Sequence, residues 1–258
     1  MTASRTTLRI LATTDLHMNL SGFDYIHDRP GLSSGLNGLI PQIAALRAER
    51  PDAPCLLLDN GDFLQGGPLA DWLADQKITQ DHPLVRTFNT LGYDAVGLGN
   101  HDLDYPSPYL AEIISALDAP VVSTNLTSAR IGGLVDETIV TRMVQLRGGA
   151  VPLRIAVLSA LPPETALWNR STLQEGAVIK DPVCCLQDRA ATLRREGADI
   201  VVVLAHLGLG EEGTGKGMAD TGASKLAQVP GIDAIIAGHT HQRHPAPDTG
   251  TPSAAVPI

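Results

Sequence analysis

CLLLDNGDFLQGG, residues 55–67, couples a short apolar run, the mark of a buried strand, to a glycine-flanked turn that carries Asp62. Four more segments repeat this arrangement. LRILATT (8–14) precedes Asp15 and His17, and YDAVGL (93–98) precedes GNHDLD with Asn100, His101 and Asp104. IVVVLA (200–205) precedes His206, and DAIIAG (233–238) precedes His239 and His241. Parallel strands of an α/β sheet end on a common edge, so residues just past those ends converge however far apart they lie in sequence. Five loops can therefore build one polar site.

The stretches between these strands carry helical spacing. LIPQIAALRAER (39–50) follows a Gly-rich connection, HPLVRTFNTLG (82–92) follows the Asp62 loop, and PYLAEIISALD (108–118) follows the Asn100 loop. PVVSTNL (120–126) and LRIAVLSALPP (153–163) read as strands, and PVCCLQDRAATLRREG (182–197) as the helix before IVVVLA. The alternation predicts an α/β fold with a largely parallel sheet covered by helices. No internal repeat is visible. Only HPAPDTGTPSAAVPI (244–258) follows the last site segment, so the chain is expected to stop in mid-domain.

Composition narrows the function classes. A chain of 258 residues with 43% apolar content suits one large domain or two small ones with a real core. Its apolar runs fall far short of the roughly 20 residues of a membrane span, and the first residues lack a signal-peptide core. A net charge of −9 argues against coating a nucleic-acid polymer, which requires clustered Lys and Arg. A small anionic substrate is still accommodated if metal cations supply the charge. Cys55, Cys184 and Cys185 have neither metal-type spacing nor a disulfide framework, and are expected in the core.

Two divalent ions held close together need carboxylate and imidazole ligands from rigid positions, with one carboxylate bridging them. The five segments supply that inventory. Asp15 and His17 are two residues apart, as are His239 and His241, so at an extended strand end each pair faces one side. Asp62, after a glycine, is the natural bridge, and Asn100 can add a neutral amide oxygen. Taken singly, each residue has a bland explanation: Asp or Asn after a strand commonly serves a turn or helix cap, and a lone histidine such as His206 is more often structural. The combination carries the inference, because five of the eight histidines follow strand-like runs with Gly nearby. His27, His82 and His244 lack such partners and read as surface or capping residues, while Asp59 and Asn60 shape the Asp62 turn. GEEGTGKG (210–217) matches part of a phosphate-binding loop, but Gly217 stands where Ser or Thr should ligate magnesium. It reads as a flexible loop beside His206, from which Lys216 could reach a substrate.

In this order, D-x-H, G-D-x-x-x-G, G-N-H-D, H and G-H-x-H resemble the calcineurin-like metallophosphoesterase superfamily. ATTDLHMNLSGFDY (12–25), LLLDNGDFLQGGPLADW (56–72), GYDAVGLGNHDLDY (92–105) and LPPETALWNRSTLQEG (161–176) narrow the likeness to the bacterial 2′,3′-cyclic-nucleotide 2′-phosphodiesterase/3′-nucleotidase family, relatives of the 5′-nucleotidases. The resemblance covers nearly the whole chain. It implies a four-layer αββα sandwich with metals at strand ends, here lacking its last C-terminal strands, in place of one plain parallel sheet. Residues 1–258 would be the catalytic domain, with the family's C-terminal nucleotide-recognition domain absent.

Carried over by motif, the resemblance implies one ion on Asp15, His17, Asp62 and His241, and another on Asp62, Asn100, His206 and His239. Mn, Zn, Co and Fe all suit such ligands. His101 would be the catalytic acid over the phosphate, its ring oriented by Asp104, although Asp102 fills the position that many other metallophosphoesterases use. The NHDLD text departs from the family's usual NHEFN or NHEFD. A small nucleotide is the implied substrate: a 2′,3′-cyclic nucleotide opened to a 3′-nucleotide, then cleaved to nucleoside and phosphate. His241, where 5′-nucleotidases often carry Gln, leans away from a 5′-nucleotidase-type phosphomonoesterase, and Gln65, Gly66 and Gly67, where protein phosphatases place Arg, lean away from phosphoproteins. The resemblance implies a periplasmic enzyme, whereas the residues alone support the cytoplasm. With nine aromatic residues, the chain could instead lack base-stacking surfaces and persist as a metal-binding remnant.

Overall fold

A computed structural model describes residues 6–25, 27–30, 35–78, 81–173, 176–210 and 222–242. Strand β1 (Arg9–Thr13) leads to a small ladder of β2 (Phe23–Asp24) with β3 (Arg29–Pro30), then to helix α1 (Leu36–Glu49). Strand β4 (Cys55–Asp59) is followed by α2 (Pro68–Ala74), α3 (Pro83–Leu91), β5 (Ala95–Gly97), a 3-10 turn (His101–Leu103) and α4 (Ser107–Ala116). Next come β6 (Val121–Val122), β7 (Leu126–Thr127), β8 (Leu134–Val135), β9 (Thr138–Leu146) and β10 (Gly149–Ala160). Helices α5 (Thr165–Trp168) and α6 (Arg170–Leu173) and strand β11 (Val178–Ile179) precede α7 (Pro182–Arg195), β12 (Ile200–Ala205), α8 (Ala223–Leu226) and β13 (Ala234–Ala237).

Two sheets face each other. The first runs β1-β4-β5-β6-β8 and is parallel throughout; the second runs β13-β12-β10-β9. In the second, β10 pairs in parallel with β12 but antiparallel with β9, so the single parallel sheet read from the alternation gives way to the two sheets that the family resemblance implies, one of them mixed. Residues of a strand alternate between its faces, and this splits the core into three. Leu56 and Leu58 of β4 meet Val157 of β10 and Val202 and Leu204 of β12 between the sheets. Leu57 turns the other way, into a cluster with Leu36, Phe88 and Leu110 of the helices. Leu158, Val201 and Val203 face Leu186 and Leu193 of α7. The result is helix, sheet, sheet, helix, and the continuous apolar run of IVVVLA is what a strand buried on both faces requires.

The long β9–β10 hairpin was not legible as such, because the burial of β9 alternates along the strand while its residue types do not: Ile139 and Met143 lie on the exposed face and Arg142 on the covered one. Two smaller expectations also fail. Cys184 is exposed and Cys55 and Cys185 are partly covered, so the cysteines are not core residues. His82 is 5% exposed, with its Nε2 3.4 Å from the Tyr109 hydroxyl, and burial pushes it down to about 4. It precedes α3 but makes no side-chain cap. His244, Lys216 and the rest of GEEGTGKG after Gly210 lie outside the described residues, as does the terminal stretch.

Candidate active site

The strand order sets the depth of each site loop. β4 and β12 run inside their sheets, whereas β1 and β13 are edge strands. The loops after β4 and β12 therefore emerge deep between the layers, and those after β1 and β13 at the rim. Asp62 and His206 are buried at 1% and 0% exposure, while the His241 side chain is 59% exposed. The β1 and β4 loops are zipped together by backbone hydrogen bonds from Asp15 N to Gly61 O (3.0 Å) and from His17 N to Asp62 O (2.8 Å).

The backbone is unusual at these positions. Among the described residues, seven non-glycine residues have left-handed φ, and five of them are Asp15, His17, Asp62, His239 and His241. Such φ values are costly for residues with a side chain and cluster where function over-determines the geometry. Asp15 and His17 thus face one point through turn conformations, not through the strand alternation expected of them. Gly61 (φ 89°) and Gly99 close the remaining gap: a Cβ on either would collide with the other's loop, on Asp62 itself in the case of Gly99.

Two groups of ligand atoms result, Asp15 with His17 and His241, and Asp62 with His206 and His239. The Nε2 atoms of His17 and His241 are 3.0 Å apart, and His241 Nε2 is 3.3 Å from Asp15 Oδ1. Asp62 Oδ2 lies 2.9 Å from His206 Nε2 and 3.9 Å from His17 Nε2, between the two groups. The outer atoms are tied off. His206 Nδ1 is 2.9 Å from Asn60 O and His17 Nδ1 is 2.7 Å from Gln65 O, so each Nδ1–H donates outward and each Nε2 lone pair faces the centre. Asp62 Oδ1 accepts from His101 N (2.7 Å), and Asp15 accepts from Thr14 Oγ1 (2.5 Å) and His239 N (3.1 Å). Asn60, expected to shape the turn, also donates its amide to Ala205 O, and Asp59 accepts from Thr13 and Gly61.

A divalent cation pair fits this donor set. The buried Asn100 Oδ1 has no hydrogen-bond partner, and His206 Nε2, though near Asp62, makes no hydrogen bond. A buried acceptor without a partner is costly unless a cation takes it. Burial opposes charge on both Asp62 and His206, yet His206 lowers the Asp62 carboxyl while Asp62 raises His206, to about 9. A cation at the same point would replace that proton.

His101 stands beside the centre, its ring 5.4 Å from that of His17, with Nδ1 2.6 Å from Asp104 Oδ2. This hydrogen bond, opposed by partial burial, raises the affinity of His101 for a proton. Asp102 does something else. Its fully buried carboxylate accepts from the backbone N–H of Asp62 (2.8 Å), Phe63 (2.9 Å), Leu64 (3.0 Å) and Gly99 (2.8 Å), and so stitches the β4 and β5 loops together. Burial and the Asp62 charge push it up to about 7 against those donors.

Two residues of the loop after β10 were not foreseen as site residues. Asn169, 3% exposed, donates from Nδ2 to Asp104 Oδ1 (2.7 Å), and the Trp168 ring lies parallel to that of His239 at 5.7 Å. Both sit within LPPETALWNRSTLQEG, which contributed to the family likeness but shows no ligand pattern. Only the packing of α5 and α6 beside the 3-10 turn, fixed by Thr172 Oγ1 donating to Leu103 O (2.5 Å), reveals their place.

Comparison with known proteins gives the same family. The calcineurin-like phosphoesterase family matches residues 8–243. The chain is 34% identical over 254 residues to a 2′,3′-cyclic-nucleotide 2′-phosphodiesterase/3′-nucleotidase of Yersinia enterocolitica, covering 96% of this chain and 38% of that protein. It is 35% identical over 246 residues to the protein of that name from Haemophilus influenzae, covering 92% of this chain and 36% of the other. The chain thus spans less than two-fifths of the length of these curated relatives. A crystal structure of a calcineurin-like phosphoesterase from Bacillus subtilis superposes with a TM-score of 0.82 at 30% identity, over 92% of this chain and 73% of that one.

Proposed function

Because the chain belongs to the calcineurin-like phosphoesterase family, we propose that residues 1–258 form the catalytic domain of a nucleotide phosphoesterase that uses two divalent cations. The substrate we assign is a 2′,3′-cyclic nucleotide, opened to a 3′-nucleotide and then hydrolysed to nucleoside and phosphate. The names of the relatives from Yersinia enterocolitica and Haemophilus influenzae support that choice. The observation that carries the two-ion reading is the position of Asp62 Oδ2 between the two ligand groups.

Asp15, His17 and His241 would hold one cation, and Asn100, His206 and His239 the other, with Asp62 shared. When bound, the ions supply the charge that draws in a phosphate ester and make water a competent nucleophile near neutral pH. The chain's own residues do the rest. His101, whose affinity for a proton is raised by its hydrogen bond to Asp104, would donate a proton from Nε2 to the leaving alkoxide. Asp104 fixes the ring and Asn169 fixes Asp104. Asp102 is unsuited to orienting His101, because its oxygens are already committed to four backbone donors. The Nδ1–H bonds to Asn60 and Gln65 keep His206 and His17 in the ligating tautomer.

The test is hydrolysis of 2′,3′-cyclic AMP, 3′-AMP and 5′-AMP with added Mn2+, beside metal content. The wild type should turn over the first two. His101→Ala should keep its metal and lose roughly 10²- to 10⁴-fold in kcat. Metal binding without turnover of any nucleotide would contradict the proposal and leave a metal-binding remnant.

A further inference from the structure

His239 follows the edge strand β13, yet its ring belongs to the ligand group of the buried Asp62 and His206. We propose that Trp168 is a positioning residue of the metal centre, its indole stacking on the His239 imidazole and holding that ring with a ligating nitrogen turned toward Asp62 and His206. The proposal rests on the two-cation reading above and not on the choice of substrate. The Trp168 and His239 rings are nearly parallel, at 15° with centroids 5.7 Å apart, within the range of offset stacking. The His206 ring meets His239 at 67° with centroids 5.3 Å apart, so two rings at different angles limit its rotation. An imidazole ligates through a lone pair in its plane, whereas stacking occupies its face. The indole therefore restrains the ring without competing for the cation, and its π face favours a ring that shares a cation's charge.

Trp168 is itself held by the segment that carries it. It ends α5, with its N–H donating to Glu164 O (3.0 Å), and Thr165 and Asn169 beside it are buried. Thr172 Oγ1 donates to Leu103 O (2.5 Å) and Ser107 Oγ to Thr172 O (3.1 Å), which fastens α5 and α6 to the 3-10 turn and α4. Consecutive side chains thus serve two parts of the centre: Trp168 faces a metal ligand, and Asn169 donates to the Asp104 carboxylate that orients His101. The Trp168 side chain is half open to solvent, so its removal leaves the core intact.

Tryptophan emission gives a readout independent of turnover. The chain has two tryptophans, and Trp72 of α2 is exposed and outside both ligand groups, so Trp72→Phe leaves Trp168 as the only reporter. Mn2+ titrated into metal-free Trp72→Phe protein should quench that emission as the ion beside His239 binds. Calorimetric Mn2+ titration of wild type, Trp168→Ala, Trp168→Phe and Asn169→Ala gives the affinities. Trp168→Ala should weaken one of the two Mn2+ sites roughly tenfold and leave the other unchanged. Trp168→Phe, which keeps a flat ring, should restore most of that loss, and Asn169→Ala should change neither site. Unchanged affinities in Trp168→Ala, equal weakening of both sites, or no rescue by Trp168→Phe would overturn the proposal. So would a raised KM at saturating Mn2+ with affinities unchanged, since Trp168 would then contact substrate instead. A wild type that binds no Mn2+ would overturn the two-cation reading together with this one, whereas two bound Mn2+ without turnover would sink the phosphoesterase reading alone.

Discussion

The two halves of the centre use the same residue types yet differ in depth. Asp62 and His206 issue from interior strands and are sealed, whereas Asp15, His17 and His241 issue from edge strands and border solvent. The deep half is held by Asp102, by Asn60 and by glycines with no room for a side chain. The rim half relies on two loops meeting across the gap between sheets. Position in the strand order thus accounts for the depth of Asp62 and His206 and the exposure of His241, while His239, though it follows edge strand β13, joins the deep ligand group.

The largest effect that bears on this contrast is expected from Asp102→Ala. It orphans four buried N–H groups at about 1 kcal/mol or more each, a large share of a typical domain's stability, so thermal unfolding should show severe loss of fold. A Tm near wild type would mean the deep half is not framed by this residue. Next, His206→Ala should lose more activity than the 10- to 100-fold typical of an outer partner, and excess Mn2+ should not restore it. His241→Ala should be milder, losing one ion per chain and recovering part of its activity at high metal concentration. Loss of both ions in this variant would break the distinction between rim and depth. The smallest effect is expected from Asn169→Ala, which should lower kcat by about tenfold with metal content unchanged.

Much of this was legible because strand-end signals are local. Asp15, His17, Asp62, Asn100, His101, Asp104, His206, His239 and His241 all follow one of five short apolar runs, and the strand ends of the two facing sheets gather Asp15, His17, Asp62, His206, His239 and His241 into two ligand groups. What resisted reading depends on contacts between distant segments. Asn169 reaches Asp104 from 65 residues away, and nothing in NRSTL announces it. The choice between Asp102 and Asp104 also turned on geometry, since both follow His101 within three positions and only the folded loops show which carboxylate is already engaged. His82 misled because an isolated histidine before a helix looks like a cap, while its burial comes from packing near Tyr109.

The central claim is that Asp62 joins the two ligand groups into one dinuclear centre. It is tested most directly by electron paramagnetic resonance on protein loaded with two Mn2+ per chain. Spin-coupled signals in the wild type, replaced in Asp62→Ala by uncoupled or absent Mn2+, are the predicted result. Uncoupled single-ion spectra in the wild type, or coupling that survives Asp62→Ala, would contradict it.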